Sequence, residues 1–304
     1  MIVLLQAAAV LTVIFSFVTA LDIPHRNIEL FSHFRLQYFV ASVLLMLLFA
    51  VMGSYLYAGV LAVTAVFNAT YILPWYYSGV SVANGPLLKL MHANVLSSNT
   101  EYSRLIELVE FEKPDLFFLQ EVTPQWVAGT RQLLEEYPYT HIEARDRHFG
   151  IAAFSKLPFD SVRNIDSPPL GHPTIVATIT FNNESLTIIS SHPTTPVGRF
   201  SYSARNKQLE SFAEPVNRIA GNVVLLGDFN SSTWCAHFRK LEVSTGLKSV
   251  RRGFGILPSW PTYLPFAMIP IDHALVSDGI SVSDVRTGMR IGSDHLPLVI
   301  TLTL

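Results

Sequence analysis

The chain divides by its pattern of apolar and polar positions. Met1–Leu21 is apolar and uncharged, and from Leu36 to Leu88 no Asp, Glu, Lys or Arg interrupts the sequence. Stretches this long without charge have the length of bilayer spans, whereas surface helices and half-buried strands show polar residues at period 3.6 or 2. Spans are expected near residues 1–21, 36–53 and 57–77, with Gly53-Ser54 turning between the last two and Trp75, Tyr76 and Tyr77 as an interfacial aromatic belt. The segment "HRNIELFSHFRLQY" mixes charge with Ile28, Leu30, Phe31 and Phe34 and is expected to lie along the interface. Val18-Thr19-Ala20 resembles a signal-cleavage site, but a basic n-region is missing, which favours an uncleaved span.

Beyond about residue 83 the pattern changes to short apolar runs separated by polar, periodic segments. "LLKLMHANV" predicts a strand. "NTEYSRLIELVEFEKPD" predicts a helix capped by Asn99 or Thr100, with Tyr102, Leu105, Ile106 and Val109 as its apolar stripe and Pro114 as its stop. "DLFFLQEV" predicts a buried strand, and "TPQWVAGTRQLLEEY" a helix with Pro124 in its first turn. Further strands are expected at Gly150–Ser155, Thr174–Phe181, Leu186–Ser191 and Val223–Leu226, with a helix from about Ala204 to Ile219 before "VVLLGDF". Strands and helices mixed in this way suggest sheets covered by helices. The expected organisation is a membrane-spanning region, 1–82, followed by one globular domain, 83–304.

Composition sharpens this division. Half of all residues are hydrophobic and 14% are charged. The first 82 residues hold four charges, Asp22, Arg26, Glu29 and Arg35, so the rest is ordinary globular sequence. The formal net charge of −2 leaves no cationic footprint for a nucleic-acid backbone. The single cysteine, Cys235, excludes an internal disulfide and a cysteine metal cluster.

Nearly every apolar strand ends in a group capable of chemistry: Asn94 in "HANV", Glu121 in "LQEV", His192 in "SSHPTTP", Asp228 and Asn230 in "GDFN", Asp272 in "PIDHALVS", and Asp294 and His295 in "SDHLP". Each has a structural explanation. Asn94 and Gly292-Ser293-Asp294 suit turns, His192 a satisfied core histidine, and Asp228 a cap for a helix starting near Ser231. Six such strand ends without local Lys or Arg are harder to assign to turns. Converging carboxylates repel one another, a divalent metal relieves the repulsion, and all-oxygen ligands suit Mg²⁺ or Mn²⁺ better than zinc. His92, His141, His148 and His172 lack a ligand spacing. Trp260 suits loop packing at least as well as substrate stacking. Arg205, Asn206 and Gln208 fall on the helix after His192, and Arg239, Lys240, Arg251 and Arg252 suit a solvated surface.

With "GDFN" followed by Trp234, the terminal "SDHLP", and the weaker "LQEV" and "NV", the region from about Leu88 onward resembles the endonuclease/exonuclease/phosphatase superfamily, the deoxyribonuclease-I-like fold. It is similar in particular to membrane-anchored bacterial members carrying "SSHPTTP…ARNKQL"-, "GDFNSSTW…FRKL"- and "SWPTYLP…IPIDHALVS"-type segments. The resemblance implies a four-layer α/β-β/α sandwich behind about three transmembrane helices, and metal-dependent phosphoester hydrolysis. It implies Glu121, Asn94 and Asp294 as metal ligands and Asp228 as the group that orients or deprotonates water. Asn230 and His192 would contact the phosphoryl group, His192 alternatively protonating the leaving group. His295, oriented by Asp272, would act as base, acid or phosphate clamp. Two departures stand out: Leu96 replaces an Asp that some nuclease members carry two residues after the first-strand Asn, and no carboxylate in "RDRHFGIAAFSKLPF" is assignable as a partner for His192.

The expected protein is thus a multi-pass, Mg²⁺- or Mn²⁺-dependent phosphodiesterase, phosphatase or nuclease. Its substrate would be a lipid head group, nucleic acid or small phosphoester, and the bilayer its other partner. The alternative is a non-catalytic membrane protein using the fold as an interaction module. Arg26 and Arg35 would place the domain in the cytoplasm by the positive-inside rule. Similar anchored chains carry basic residues between the second and third spans, which places the domain outside. This chain has none there, and the expectation leans to the extracytoplasmic side.

Overall fold

The computed structural model describes residues 1–23, 25–77 and 85–304, and its N-terminal region is helical. Helix α1 (Ile2–Val18) runs into a 3₁₀ turn ending at Leu21, followed by α2 (Arg26–Ser32), α3 (Arg35–Val51), α4 (Tyr55–Ile72) and the short α5 (Pro74–Tyr77). Ile2–Leu21 and Tyr55–Tyr77 are long and apolar enough to cross a membrane; α2 and α3, bent by 63° at their junction, make a third if they count as one span. Gly53, at φ +73°, reverses the chain between α3 and α4, a left-handed conformation that glycine adopts without steric cost. The domain boundary expected at 82/83 lies outside the described residues.

The aromatic belt differs from expectation. Trp75 is buried against Ile72 of α4 and against Trp234 and Ile256 of the globular part, with the Arg252 guanidinium over its ring and its carbonyl accepting from the N–H groups of Gly253 and Gly255. Only Tyr76 and Tyr77 are exposed.

The globular part contains two six-stranded sheets. In chain order its elements are β1 (Leu87–Asn94), α6 (Tyr102–Glu112), β2 (Leu116–Gln120), α7 (Pro124–Gly129), β3 (Tyr139–Glu143), β4 (Ile151–Ser155), β5 (Ser161–Ser167), β6 (His172–Phe181), β7 (Glu184–Ser191), α8 (Arg199–Ser211), α9 (Ala213–Arg218), β8 (Asn222–Asp228), α10 (Ala236–Thr245), β9 (Lys248–Ser249), β10 (Asp272–Val276), β11 (Ser281–Thr287) and β12 (Leu298–Thr303). The sheets have strand orders β11-β12-β1-β2-β4-β3 and β5-β6-β7-β8-β10-β9. They face each other across a core that includes Leu88, Leu90, Phe118, Ile188, Leu226 and Ile300. The opposite faces, one residue out of phase, bury Met91 and Phe117 beneath Val109 and Trp126, and Ile189 and Leu225 beneath Leu209 and Phe238. Each large side chain so buried stabilises by about 1.5–3 kcal/mol. The result is the expected four-layer α/β-β/α sandwich.

Several expected elements are shifted or broken. The first domain helix begins at Tyr102, because the Asn99 side chain accepts from the Glu101 N–H in a turn rather than capping a helix there. The "TPQWVAGTRQLLEEY" helix starts as expected, with the Thr123 hydroxyl accepting from the Trp126 N–H, but stops at Gly129, against which the Tyr102 ring packs, and resumes as a 3₁₀ turn. The Ala204–Ile219 helix begins earlier, at Arg199, and breaks at Phe212, ahead of Pro215. Asp228 caps no helix: α10 starts at Ala236, and the Asp228 carboxylate instead accepts from the Asn230 N–H.

Strand direction determines where the site lies. β1 and β2 run parallel, as do β7 and β8, while β12 is antiparallel to β1 and β10 to β8. The ends of β1, β2, β7 and β8 and the beginnings of β10 and β12 therefore share one edge of the sandwich.

Candidate active site

The register brings side chains from distant parts of the sequence together at that edge. Asn94 pairs with Gln120 across β1/β2, and Asp228 with Asp272 across β8/β10. The Asn94 amide donates to Glu121 Oε1 at 3.3 Å and to Asp228 Oδ2 at 3.2 Å, joining carboxylates from the two sheets. Gln120 stitches the sheets beneath them: its Oε1 accepts from the Asp228 N–H at 2.9 Å and its Nε2 donates to the Ser191 carbonyl at 2.7 Å. Gly227, at φ +148°, makes room for this link, since a Cβ there would strike the Ser191 carbonyl and approach Gln120 Nε2. This accounts for the glycine of "GDFN".

Asp272 is fully buried, with Oδ2 2.8 Å from His295 Nδ1 and Oδ1 3.0 Å from His92 Nε2. Burial would push this carboxyl up, but the two histidines hold it well below the usual range. Burial also disfavours charge on His295, yet the Asp272 and Asp228 carboxylates overcome it and raise the imidazole to about 10. His295 Nε2 faces Asp228 Oδ2 at 3.7 Å, and His192 Nε2 lies 3.4 Å from the same oxygen. The Asn230 amide donates to the Pro193 carbonyl at 3.0 Å and sits beside His192 Nε2. His192 Nδ1 is buried with no hydrogen-bond partner, consistent with the carboxylate not found for it in the sequence.

Glu121 is held differently. Its Oε2 accepts from the Ser97 N–H at 3.0 Å and faces His148 Nδ1 at 3.1 Å. Burial opposes its ionisation, but His192, this N–H and His148 bring the carboxyl down to about 2. Glu121, Leu96 and Asn230 all adopt left-handed φ, at 62°, 60° and 49°. Non-glycine residues there are strained, and such strain clusters at functional sites. Asp294 Oδ2 accepts from Trp260 Nε1 at 2.9 Å, whereas its buried Oδ1 has no hydrogen-bond partner and lies 3.9 Å from His295 Nε2. All eight expected residues are thus at this edge. Asn94 and Asp272 lie beneath, while Glu121, His192, Asp228, Asn230, Asp294 and His295 line a cleft of about 540 Å³.

Two sets of side chains at this edge could hold a metal. Asp228, Asp272 and His295 have ligand atoms within 4.8 Å of one another. Both Asp272 oxygens are already engaged by histidines, however, so it has little left to offer a cation. Glu121 and Asp294 also present carboxylates to the cleft, the oxygen donors a hard divalent cation takes; Glu121 already accepts from Asn94 and Ser97, and Asp294 Oδ1 lies 3.9 Å from His295 Nε2.

Other members of the site escaped the sequence reading. His92, assigned no role there, supports Asp272; His148 faces Glu121; and Trp260 fixes Asp294 by a hydrogen bond rather than by stacking. Arg251, expected at the surface, is buried and donates to the carbonyls of Asp272, Ile256 and Leu257. Arg205 is buried too, donating to the Asn230 carbonyl and paired with Glu29 of α2. The signal for His92 and Gln120 was available: both are polar positions inside otherwise apolar strands.

The sequence pattern of the Endonuclease/Exonuclease/phosphatase family matches residues 91–295, and the chain belongs to this family of phosphoester hydrolases, whose members depend on divalent metal. Among solved structures, D. rerio TDP2 complexed with a single-stranded DNA product is 18% identical, with a TM-score of 0.62 over 72% of this chain and 99% of that one. The Neisseria 3′ phosphatase NExo bound to a product DNA hairpin is 20% identical, with a TM-score of 0.58 over 70% of this chain and 98% of that one. Sphingomyelinase C from Streptomyces griseocarneus is 17% identical, with a TM-score of 0.54 over 71% and 99%. At these identities the likeness concerns the fold. No curated protein matches the sequence.

Proposed function

We propose that the protein is a membrane-anchored, Mg²⁺- or Mn²⁺-dependent phosphoester hydrolase, with residues 1–82 as the anchor and 83–304 as the catalytic domain, on the extracytoplasmic side. The observation that carries the reading is the gathering of carboxylates in one cleft: a buried Asp294 Oδ1 with no hydrogen-bond partner and His295 Nε2 at 3.9 Å, beside Glu121, Asp228 and a histidine held by a buried carboxylate.

Glu121 and Asp294, with Asn94 behind Glu121, would hold the cation, which when bound polarises the phosphoryl oxygens and offsets their charge. Asp228, fixed by Gln120 and Asn94, accepts a hydrogen bond from the attacking water and directs its lone pair at phosphorus. The amide of Asn230 and Nε2 of His192, side by side at the cleft, would contact the phosphoryl group. His295, kept cationic across neutral pH by Asp272, suits a donor to a phosphoryl or leaving oxygen rather than a base. The interaction-module alternative would leave the Asp272-His295 pair without a task.

Purified full-length protein should hydrolyse a simple diester such as bis(4-nitrophenyl) phosphate with Mg²⁺ and stop on chelation. Glu121→Gln, which keeps shape and removes charge, should weaken Mg²⁺ binding at least about tenfold in a calorimetric titration without changing the fold. Unchanged affinity would take Glu121 out of the metal site. The anchor is tested separately. Alkaline carbonate washing should leave the full chain in the membrane pellet, and its appearance in the supernatant would contradict the spans.

A further inference from the structure

Resting on the hydrolase reading above, we infer that the scissile phosphoester belongs to a membrane amphiphile, drawn into the cleft from the bilayer surface while its apolar tail stays against the cleft rim. The N-terminal region forms part of the cleft itself: Leu30 of α2 and His33 line it together with Glu121, Asp228 and His295. Two loops border this wall, and both are tied to the same region. Arg26 Nη1 donates to the Val197 carbonyl at 3.0 Å, and Gln37 Nε2, in the first turn of α3, donates to the Met268 carbonyl at 2.9 Å.

The first loop with the start of α8 that follows it, and the second loop, present large apolar side chains to the exterior. On one side Val197 is 74% and Phe200 73% exposed; on the other Tyr263 is 71% and Phe266 77% exposed. The second loop closes through the Trp260–Ile269 bridge, and both of those residues line the cleft. Between the loops Leu30 and Phe31 are also exposed, and the apolar surface continues along α3 through Val40, Leu44, Leu47 and Leu48. Apolar side chains that rim a polar cleft and merge with apolar helices form a surface suited to the headgroup–acyl boundary. The charge pattern agrees. Among the described residues that line the cleft there is no Lys or Arg, so the cationic track that a polynucleotide backbone requires is missing.

The test uses the full chain in nanodiscs with Mg²⁺. Three bilayer-embedded phosphoesters serve as probes: phosphatidylglycerol, phosphatidic acid and a polyprenyl phosphate. They are compared with their short-chain water-soluble counterparts, a single-stranded DNA oligonucleotide and bis(4-nitrophenyl) phosphate. At least one embedded ester should be cleaved with kcat/KM about tenfold or more above its soluble counterpart, since the tail contributes binding. Phe200→Ser with Phe266→Ser should bring that ratio close to one, and Phe200→Leu with Phe266→Leu should keep it. Equal rates on long and short chains, a preference for DNA, or a ratio insensitive to the serine pair would each overturn the inference. Inactivity on every substrate, the simple diester included, would instead remove the hydrolase reading on which it rests.

Discussion

Replacing His295 with alanine is expected to lower kcat for a simple diester by roughly 10²- to 10⁴-fold, the range for a positioned proton donor or charge-stabilising group. Asp272 acts on substrate only through His295, so Asp272→Asn should impair the same step. The double variant should then turn over close to the rate of His295→Ala alone, because groups that work as a unit are not additive. Independent, multiplying losses would separate the two residues. A pH signature accompanies this. The His295 imidazole rises from 6.5 to about 10 on folding, so its contribution to stability is fully present below 6.5 and is lost as pH rises through about 10. Melting temperatures of the metal-free protein should therefore fall across that interval, and His295→Ala should flatten the fall. A wild-type curve already flat between those values would show that His295 is not held as a cation.

Asp294→Asn should separate turnover from folding. The side chain packs little, and an asparagine oxygen can still accept from Trp260 Nε1, so the change should cost about 1 kcal/mol of stability or less. The charge on Oδ1 disappears, however, and with it one anionic contact to the cation, so kcat should fall by about two orders of magnitude or more. Thermal melts alongside initial rates check both halves. If the variant unfolds while its folded fraction turns over normally, Asp294 belongs to the turn at Gly292–Asp294 and not to the chemistry.

The layers and the chemistry of the ends were legible because both are local. Buried central strands read as apolar runs, and each run carries its reactive group at its own end. The four strands left unrecognised, β3, β5, β9 and β11, are the four edges of the two sheets. Their residues are mostly half-buried or exposed, so they lack the apolar runs that mark the interior strands. Distance along the chain hid the rest. His92 meets Asp272 180 residues away, and Gln120 meets Asp228 108 away. Arg205 read only as a residue of the helix after His192 because its counter-charge, Glu29, lies 176 residues away, and Arg251 read as a surface cation because its burial depends on the Asp272 carbonyl 21 residues on.

The contact between α2 and the domain has a bearing on how such a gene can change. Arg205 is buried with Glu29 as its counter-charge, Asp22 pairs with Arg239, and the His33 ring nitrogen Nδ1 lies 2.9 Å from the Ser232 hydroxyl and 3.2 Å from the Cys235 sulfur. Removing one partner of a buried ion pair costs about 3–5 kcal/mol, a large share of what a domain has. The globular part is therefore not free to be recombined behind a different N-terminal region, or cut away from this one by a protease, without exposing a buried cation and losing a wall of its own cleft. The two halves would have to be inherited together, with Glu29 and Arg205 changing only in concert.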